Sequence, residues 1–138
     1  MENCSLDGTS LKVNDPVYGH PFHSRENQQW QFVYQDSKYF KIKSYTTDTV
    51  VCLTDTGTVL ASSNKSTDDV LWSMKKIENT NKFVLINKQS EPKVLQANYT
   101  ASNGQYGIVG VKYPNDEKEF SNNKYLQFRL YEFKEVTP

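Results

Sequence analysis

The chain has 138 residues, the usual length of one domain, and a chain of this length can bury a core without disulfides or a metal. Its 16 Lys and Arg equal its 16 Asp and Glu, so it lacks the basic surplus expected of a protein that binds nucleic acid or an anionic membrane. Aromatic residues make up 13% of the chain, which argues against intrinsic disorder and favours strands.

Short runs of strand length and composition follow one another along the chain, and no longer stretch has helical periodicity. Polar turns separate these runs at intervals of roughly 8–12 residues, which is typical of an all-β barrel or sandwich. No linker or composition break divides the chain, so we predict one domain over 1–138. The predicted strands are Leu11–Val13, Val17–Tyr18, Trp30–Tyr34, Tyr39–Tyr45, Thr49–Leu53, Thr58–Ala61, Leu71–Ile77, Lys82–Asn87, Lys93–Ala97, Gly107–Tyr113 and Tyr125–Phe133.

Three segments end alike, with a large ring two residues before an apolar side chain. The rings are Trp30, Trp72 and Phe128; the intervals are 42 and 56 residues, so the third unit carries 14 extra residues. Three units of about four strands that close around a threefold axis pool their rings in one core, which describes a β-trefoil. We therefore expect the rings to be core residues, in repeats of roughly 1–35, 36–78 and 79–138.

The segment Asn27-Gln28-Gln29-Trp30 resembles the Gln-x-Trp repeat of ricin B-type β-trefoil lectins. The wider stretch from Pro16 to Trp30 is similar to the first repeat of fungal members. The other two units depart from the motif, because they end in Val70-Leu71-Trp72 and Leu126-Gln127-Phe128. The resemblance implies a lectin without catalysis or cofactor, whose partners are glycans or glycoconjugates that carry galactose or N-acetylgalactosamine.

The family binds sugar with an acidic or amide residue after the second strand, a ring or His after the third, and Asn or Gln before the Trp. A ring packs on the C–H face of a sugar, while Asp, Asn or Gln pairs its hydroxyls. In the first unit the resemblance implies that His20 stacks and donates beside Tyr18, that Gly19 admits the ligand, that Asn27 pairs hydroxyls and that Gln28 holds the turn.

The acidic position of this site has two candidate locations. If the second strand is Leu11–Val13, its end supplies Asn14 and Asp15; if it is Cys4–Leu6, its end supplies Asp7. We favour the first, because the second leaves Leu11 and Val13 in a loop and removes the opening strand of the unit.

The second and third units place other residues where the first has His20 and Asn27, so we expect at most one competent site. The alternative is that His20 and Asn27 are turn residues with satisfied hydrogen bonds and that nothing binds. The replacements are Ser62 and Asp69 in the second unit, and Val111 and Tyr125 in the third.

The opening strand of the first unit is short or missing, because only Met1–Cys4 remain for it. Three explanations stay open: a truncated chain, a frayed barrel, or a strand donated by a second copy. Since an unpaired edge invites pairing, a homodimer is one hypothesis.

Other chemistry is disfavoured. His20 and His23 face opposite sides of a strand, so one metal would not bind both. Cys4 and Cys52 form no disulfide framework, and we expect both to be reduced. The acidic pairs lie in polar turns, so we expect no enzyme. No run approaches the roughly 18 apolar residues of a membrane span. No signal peptide is visible, which predicts a cytoplasmic or non-classically secreted protein.

A second functional hypothesis is a protein-binding trefoil, either a protease inhibitor or the receptor-binding module of a toxin. In that case the loops would carry the function. The extra length of the third unit, around Asn98–Gln105 and Pro114–Asn123, is the candidate surface.

Overall fold

The structure is a computed structural model that describes residues 5–8, 17–20, 28–102 and 105–130, with side chains described for 28–97 and 107–130. Ten strands lie within these residues, with a short helix, Glu119–Asn122, and 3-10 turns at Asp68–Val70 and Lys124–Leu126. The strands are β1 (Ser5–Gly8), β2 (Val17–His20), β3 (Trp30–Tyr34), β4 (Phe40–Ser44), β5 (Thr49–Leu53), β6 (Val59–Ser63), β7 (Trp72–Lys76), β8 (Phe83–Asn87), β9 (Lys93–Ser102) and β10 (Gln105–Lys112).

The strands form one antiparallel sheet in the order β1-β2-β10-β9-β8-β7-β4-β5-β6, with β3 paired to β4. An isolated bridge between Thr58 and Val109 brings the turn before β6 against β10. The Gly110 amide also donates to the Gly57 carbonyl over 2.8 Å. These contacts curl the sheet into a nearly closed barrel, and the predicted all-β class is confirmed.

One hairpin from each unit follows the same register: β1–β2, β5–β6 and β9–β10. This shared register shows the threefold repetition directly. Leu6 pairs with Gly19 in β1–β2, Val51 with Ala61 in β5–β6, and Leu95 with Gly110 in β9–β10. Each hairpin therefore sets an aliphatic residue opposite Gly or Ala. Gly110 is therefore the counterpart of Gly19 in the third unit.

The three rings occupy equivalent places. Trp72 pairs with Phe40 at the start of its own unit, and Phe128 pairs with Phe83 in the same way. A 3-10 turn ends two residues before each ring, at residues 28, 70 and 126. Trp72 is 0% exposed, Phe128 is 8% exposed, and Trp30 packs against the same core cluster. The prediction that the rings belong to one core is confirmed.

The β1–β2 hairpin of the first unit differs from the predicted hairpin. Ser5–Gly8 pairs with β2, so the preference for Leu11–Val13 as that strand is wrong. Pairing through Leu11–Val13 would leave a three-residue turn that ends in Pro16, which has no amide hydrogen to donate. With β1 at Ser5–Gly8, the chain has eight residues between the two strands. Residues 11–13 and the proposed opening strand Met1–Cys4 lie outside the described residues.

The third unit ends differently from its prediction. Residues 124–126 form a 3-10 turn instead of the start of a strand, because the Asn123 side chain accepts a hydrogen bond from the Tyr125 amide over 3.1 Å. The extra length of this unit is used for long strands β9 and β10 and for the short helix. Phe120 of the helix and Leu126 of the turn close a second apolar cluster with Ile77, Val84 and Val94.

Candidate functional site

The predicted sugar site of the first unit centres on β2, which holds Tyr18, Gly19 and His20. β2 lies between β1 and β10, and Gly19 pairs with Leu6 on one side and with Tyr106 on the other. Gln28 is buried two residues before β3 begins and has an interaction within the chain. The other predicted members, Asn14, Asp15 and Asn27, lie outside the described residues.

The β1–β2 register sets two further residues opposite members of the predicted site. Asp7 lies opposite Tyr18, and Ser5 lies opposite His20. Since alternate residues of a strand share a face, all four belong to one face of the hairpin. Asp7 is the alternative that the sequence offers for the acidic position. Ser5 is not among the predicted residues, because the prediction pairs Leu11–Val13 with β2.

The matching face of the second unit is occupied by its own side chains. Asp69, in the place of Asn27, accepts hydrogen bonds from Lys65 Nζ at 2.9 Å, from Cys52 Sγ at 3.4 Å and from the Thr67 hydroxyl. Burial tends to raise the pKa of Asp69, but these hydrogen bonds together lower it below the usual carboxyl value. The second unit thus has Ser62 in the place of His20, and its Asp69 is hydrogen-bonded to its own neighbours.

Cys52 lies in the second unit at the place that Asp7 takes in the first. Burial, followed by the neighbouring Asp69 carboxylate, raises the pKa of the Cys52 thiol to about 11. The thiol is therefore protonated at neutral pH. Because a thiolate is the reactive form of cysteine, Cys52 is a packed residue and not an activated nucleophile.

The third unit also departs from the sugar-binding pattern. Val111, in the place of His20, packs against the apolar cluster that contains Ile77 and Phe120. Tyr125 takes the place of Asn27, and Gln96 takes that of Asp7; both have interactions within the chain. The third unit therefore has neither His nor Asn at the two positions that the resemblance requires.

Three further observations concern the described residues. They contain no group of three or more His, Cys, Asp or Glu side chains that could hold a metal ion. None of their helices is both long and apolar enough to cross a membrane. The acidic turn residues Asp68, Asp116 and Glu117 are exposed, as expected of solvated charges.

Comparison with known proteins gives one family and one fold. A family model described as a ricin-type beta-trefoil lectin domain-like family matches residues 26–109, more than half of the chain. No curated protein sequence matches the chain significantly.

Solved structures with the same fold include a designed threefold symmetric protein, ThreeFoil, at 18% identity and a TM-score of 0.78, with 94% of this chain and 91% of that chain covered. SeviL, solved with the asialo-GM1 saccharide, has 16% identity and a TM-score of 0.65, with 94% and 92% covered. A cytolethal distending toxin chain from Actinobacillus actinomycetemcomitans has 9% identity and a TM-score of 0.72, with 98% and 91% covered.

Proposed function

Because the chain belongs to the family of ricin-type β-trefoil lectin-like domains, we propose that it is a non-catalytic lectin for glycans that carry galactose or N-acetylgalactosamine. We place its one working site on the β1–β2 face of the first unit. The contrast between the units carries the proposal. The first unit keeps His20 and the Asn27-Gln28-Gln29-Trp30 motif, whereas the equivalent Asp69 of the second unit is bound by its own neighbours.

The proposed mechanism divides a sugar into an apolar face and a set of hydroxyls. His20 and Tyr18 pack on the C–H face, and Asn27 pairs hydroxyls as both donor and acceptor. We assign the acidic role to Asp7 instead of Asn14 or Asp15, because Asp7 lies opposite Tyr18 in the β1–β2 register. A single shallow site of this kind binds with a Kd of about millimolar to micromolar, or roughly −4 to −8 kcal/mol.

A glycan array tests the proposal with a matched pair of variants. His20→Ala removes the stacking residue, and Ser62→Ala changes the equivalent position of the second unit. We expect galactose-terminated glycans to bind wild type and Ser62→Ala equally and to lose binding to His20→Ala. Retention of binding by His20→Ala, or equal losses in both variants, would place the site elsewhere. Absence of any galactoside binding at high display density would refute the sugar class.

A protein-binding trefoil remains the second candidate because of the third unit. β9 has 10 residues and β10 has 8, whereas β3 to β8 have 5 each. This longer hairpin and the segment from Pro114 to Asn123 would form the contact surface. Inhibition of a protease panel, lost when residues 99–104 are replaced by a short turn, would support this function; no inhibition together with glycan binding would exclude it.

A further inference from the structure

A groove of about 790 Å³ lies outside the face that we assign to galactose, between the β3–β4 turn and the β8–β9 turn. Residues 73–75 of β7 are among those that line it. β4 and β7 pair only where Phe40 meets Trp72, so the two strands diverge beyond this point and leave space between them. The volume is within the range of about 300–1,000 Å³ that small-ligand pockets occupy.

Aromatic rings form the walls of this groove, hereafter the β4–β7 groove. Tyr34 is 56% exposed, and its ring centroid lies 5.4 Å from that of the buried Phe40. Tyr113 on the opposite side meets Phe120 edge to face at 5.3 Å. Because neighbouring rings hold both side chains in place, they offer fixed apolar surfaces without a large loss of side-chain entropy.

Polar groups inside the groove suit a ligand that carries several hydroxyls. Ser37, Ser73 and Ser90 line it together with Tyr34 and Tyr39. Among the described residues, the hydroxyls of Tyr34 and Tyr39 have no hydrogen-bond partner. A phenolic hydroxyl can both donate and accept, so each can pair with one ligand hydroxyl.

The charged residues that line the groove, among those described, are Lys38, Lys75 and Lys88. The ammonium groups of Lys38 and Lys88 lie 5.2 and 4.7 Å from the centroid of the same Tyr39 ring. No ion pair neutralises Lys38 within the described part of the chain. An anion bound beside the Tyr39 ring would be attracted by both ammonium groups.

The acidic groups near these lysines lie outside the lining of the groove. Glu117 pairs with Lys75 at 2.6 Å, and Asp68 lies 3.7 Å from Lys88. Asp36 accepts hydrogen bonds from the backbone amides of Lys38 and Tyr39, each at 2.8 Å. None of these three carboxylates lines the groove, although Lys88 and Lys38 both help to lower the pKa of Asp36.

We propose that the β4–β7 groove is a second ligand site, specific for an acidic monosaccharide unit. Its carboxylate or sulfate ester lies between Lys38 and Lys88, its C–H face packs on Tyr34, and its hydroxyls pair with the serine and tyrosine hydroxyls. A sugar fits better than an acidic peptide because it presents several hydroxyls together with one anionic group. This site requires no part of the proposed galactose site.

A titration followed by 15N-HSQC spectra of the full chain tests this proposal with two sugars that differ only at C6. Methyl β-D-glucuronide carries a carboxylate there, and methyl β-D-glucoside carries a hydroxymethyl group. We expect glucuronide to shift the amides of residues 37–40 and 73–75 and to bind about tenfold more tightly than glucoside, as two charge-assisted contacts would give. N-acetylglucosamine 6-sulfate then distinguishes a sulfate ester from a carboxylate as the preferred anion. Equal binding of glucuronide and glucoside, or shifts away from the groove, would overturn the proposal.

A pair of double variants with equal net charge supplies the control. Lys38→Gln with Lys88→Gln removes the two ammonium groups, whereas Lys76→Gln with Lys112→Gln removes two exposed lysines that do not line the groove. We expect the first double variant to bind glucuronide about tenfold more weakly than wild type. The second should bind glucuronide as tightly as wild type, and galactose binding should be unchanged in both. Equal glucuronide affinity in the two double variants would refute the site. Groove shifts with a hexaglutamate peptide but not with glucuronide would show that the ligand is a peptide instead.

Discussion

The contact between Gly57 and Gly110 gives a sharp test of the trefoil packing. Gly57 has φ of +87°, and a Cβ added there would lie 2.7 Å from the Gly110 carbonyl oxygen. At the same contact the Gly110 amide donates a hydrogen bond to the Gly57 carbonyl. This bond holds β10, the strand that pairs with β2. Gly57→Ala therefore strains the backbone by about 1–3 kcal/mol and disturbs a bond worth about 0.5–1.5 kcal/mol. We expect a loss of about 2–4 kcal/mol in the free energy of unfolding.

Urea denaturation followed by tryptophan fluorescence measures this loss. Asp55→Ala, at an exposed position of the same turn, is the control, and we expect it to change the free energy of unfolding by less than about 0.5 kcal/mol. A Gly57→Ala variant as stable as Asp55→Ala would refute the reasoning, because it would mean that the hairpins of the second and third units do not meet at these glycines.

Three further predictions concern the core, the acid response and the sugar site. Trp72→Phe loses the 3.1 Å hydrogen bond from Nε1 to the Val51 carbonyl and should lower the free energy of unfolding in urea by about 1–3 kcal/mol. Trp72→Ala should lower it by about 3–5 kcal/mol. An unchanged urea midpoint for either variant would contradict the core position. The lowered pKa of Asp69 contributes stability above the usual carboxyl value of 3.8 that is lost as the pH falls through the lower folded value. Asp69→Asn should therefore flatten acid denaturation in that range, and an identical acid curve would contradict it. Asp7→Asn should weaken galactose binding about tenfold in an NMR titration, and Asp15→Asn should not. The opposite result would favour the pairing of Leu11–Val13 with β2.

The rings and the repeat spacing were predictable from the sequence because core packing imposes them. A unit that must bury one large ring repeats it at a regular interval, and Trp30 and Trp72 differ by 42 residues. The Gly-or-Ala position opposite an aliphatic residue repeats for a similar reason, since a Cβ at Gly110 would lie 2.5 Å from Leu53 Cδ1. Steric requirements of this kind leave a pattern in the sequence.

The first hairpin was not predictable in the same way. Leu6 and Leu11 can each be set opposite Gly19, so both registers satisfy the aliphatic–glycine pattern. The observed pairing of β1 with β2 selects the register with Leu6, and therefore Asp7 instead of Asp15. Pro16 is the one local feature that disfavours the shorter turn. The acidic position therefore depended on a turn length that side-chain patterning does not encode.

The β4–β7 groove had no signal in the sequence because it arises from the divergence of two strands. Lys38 and Lys88 are 50 residues apart and meet only through the ring of Tyr39. The last segment of the third unit was mispredicted for a local reason: Tyr125 and Phe128 have strand propensity, but the Asn123 cap favours a 3-10 turn.

A galactose titration of the 15N-labelled chain tests the central assignment most directly, because the amide shifts of each hairpin report separately on binding at that hairpin. The sugar should shift the amides of Asp7, Tyr18 and His20 at millimolar concentration and leave Leu60 and Ser62 in place. Shifts at the β5–β6 hairpin of the second unit, or no shifts in any of the three hairpins, would contradict a single galactose site on the first unit.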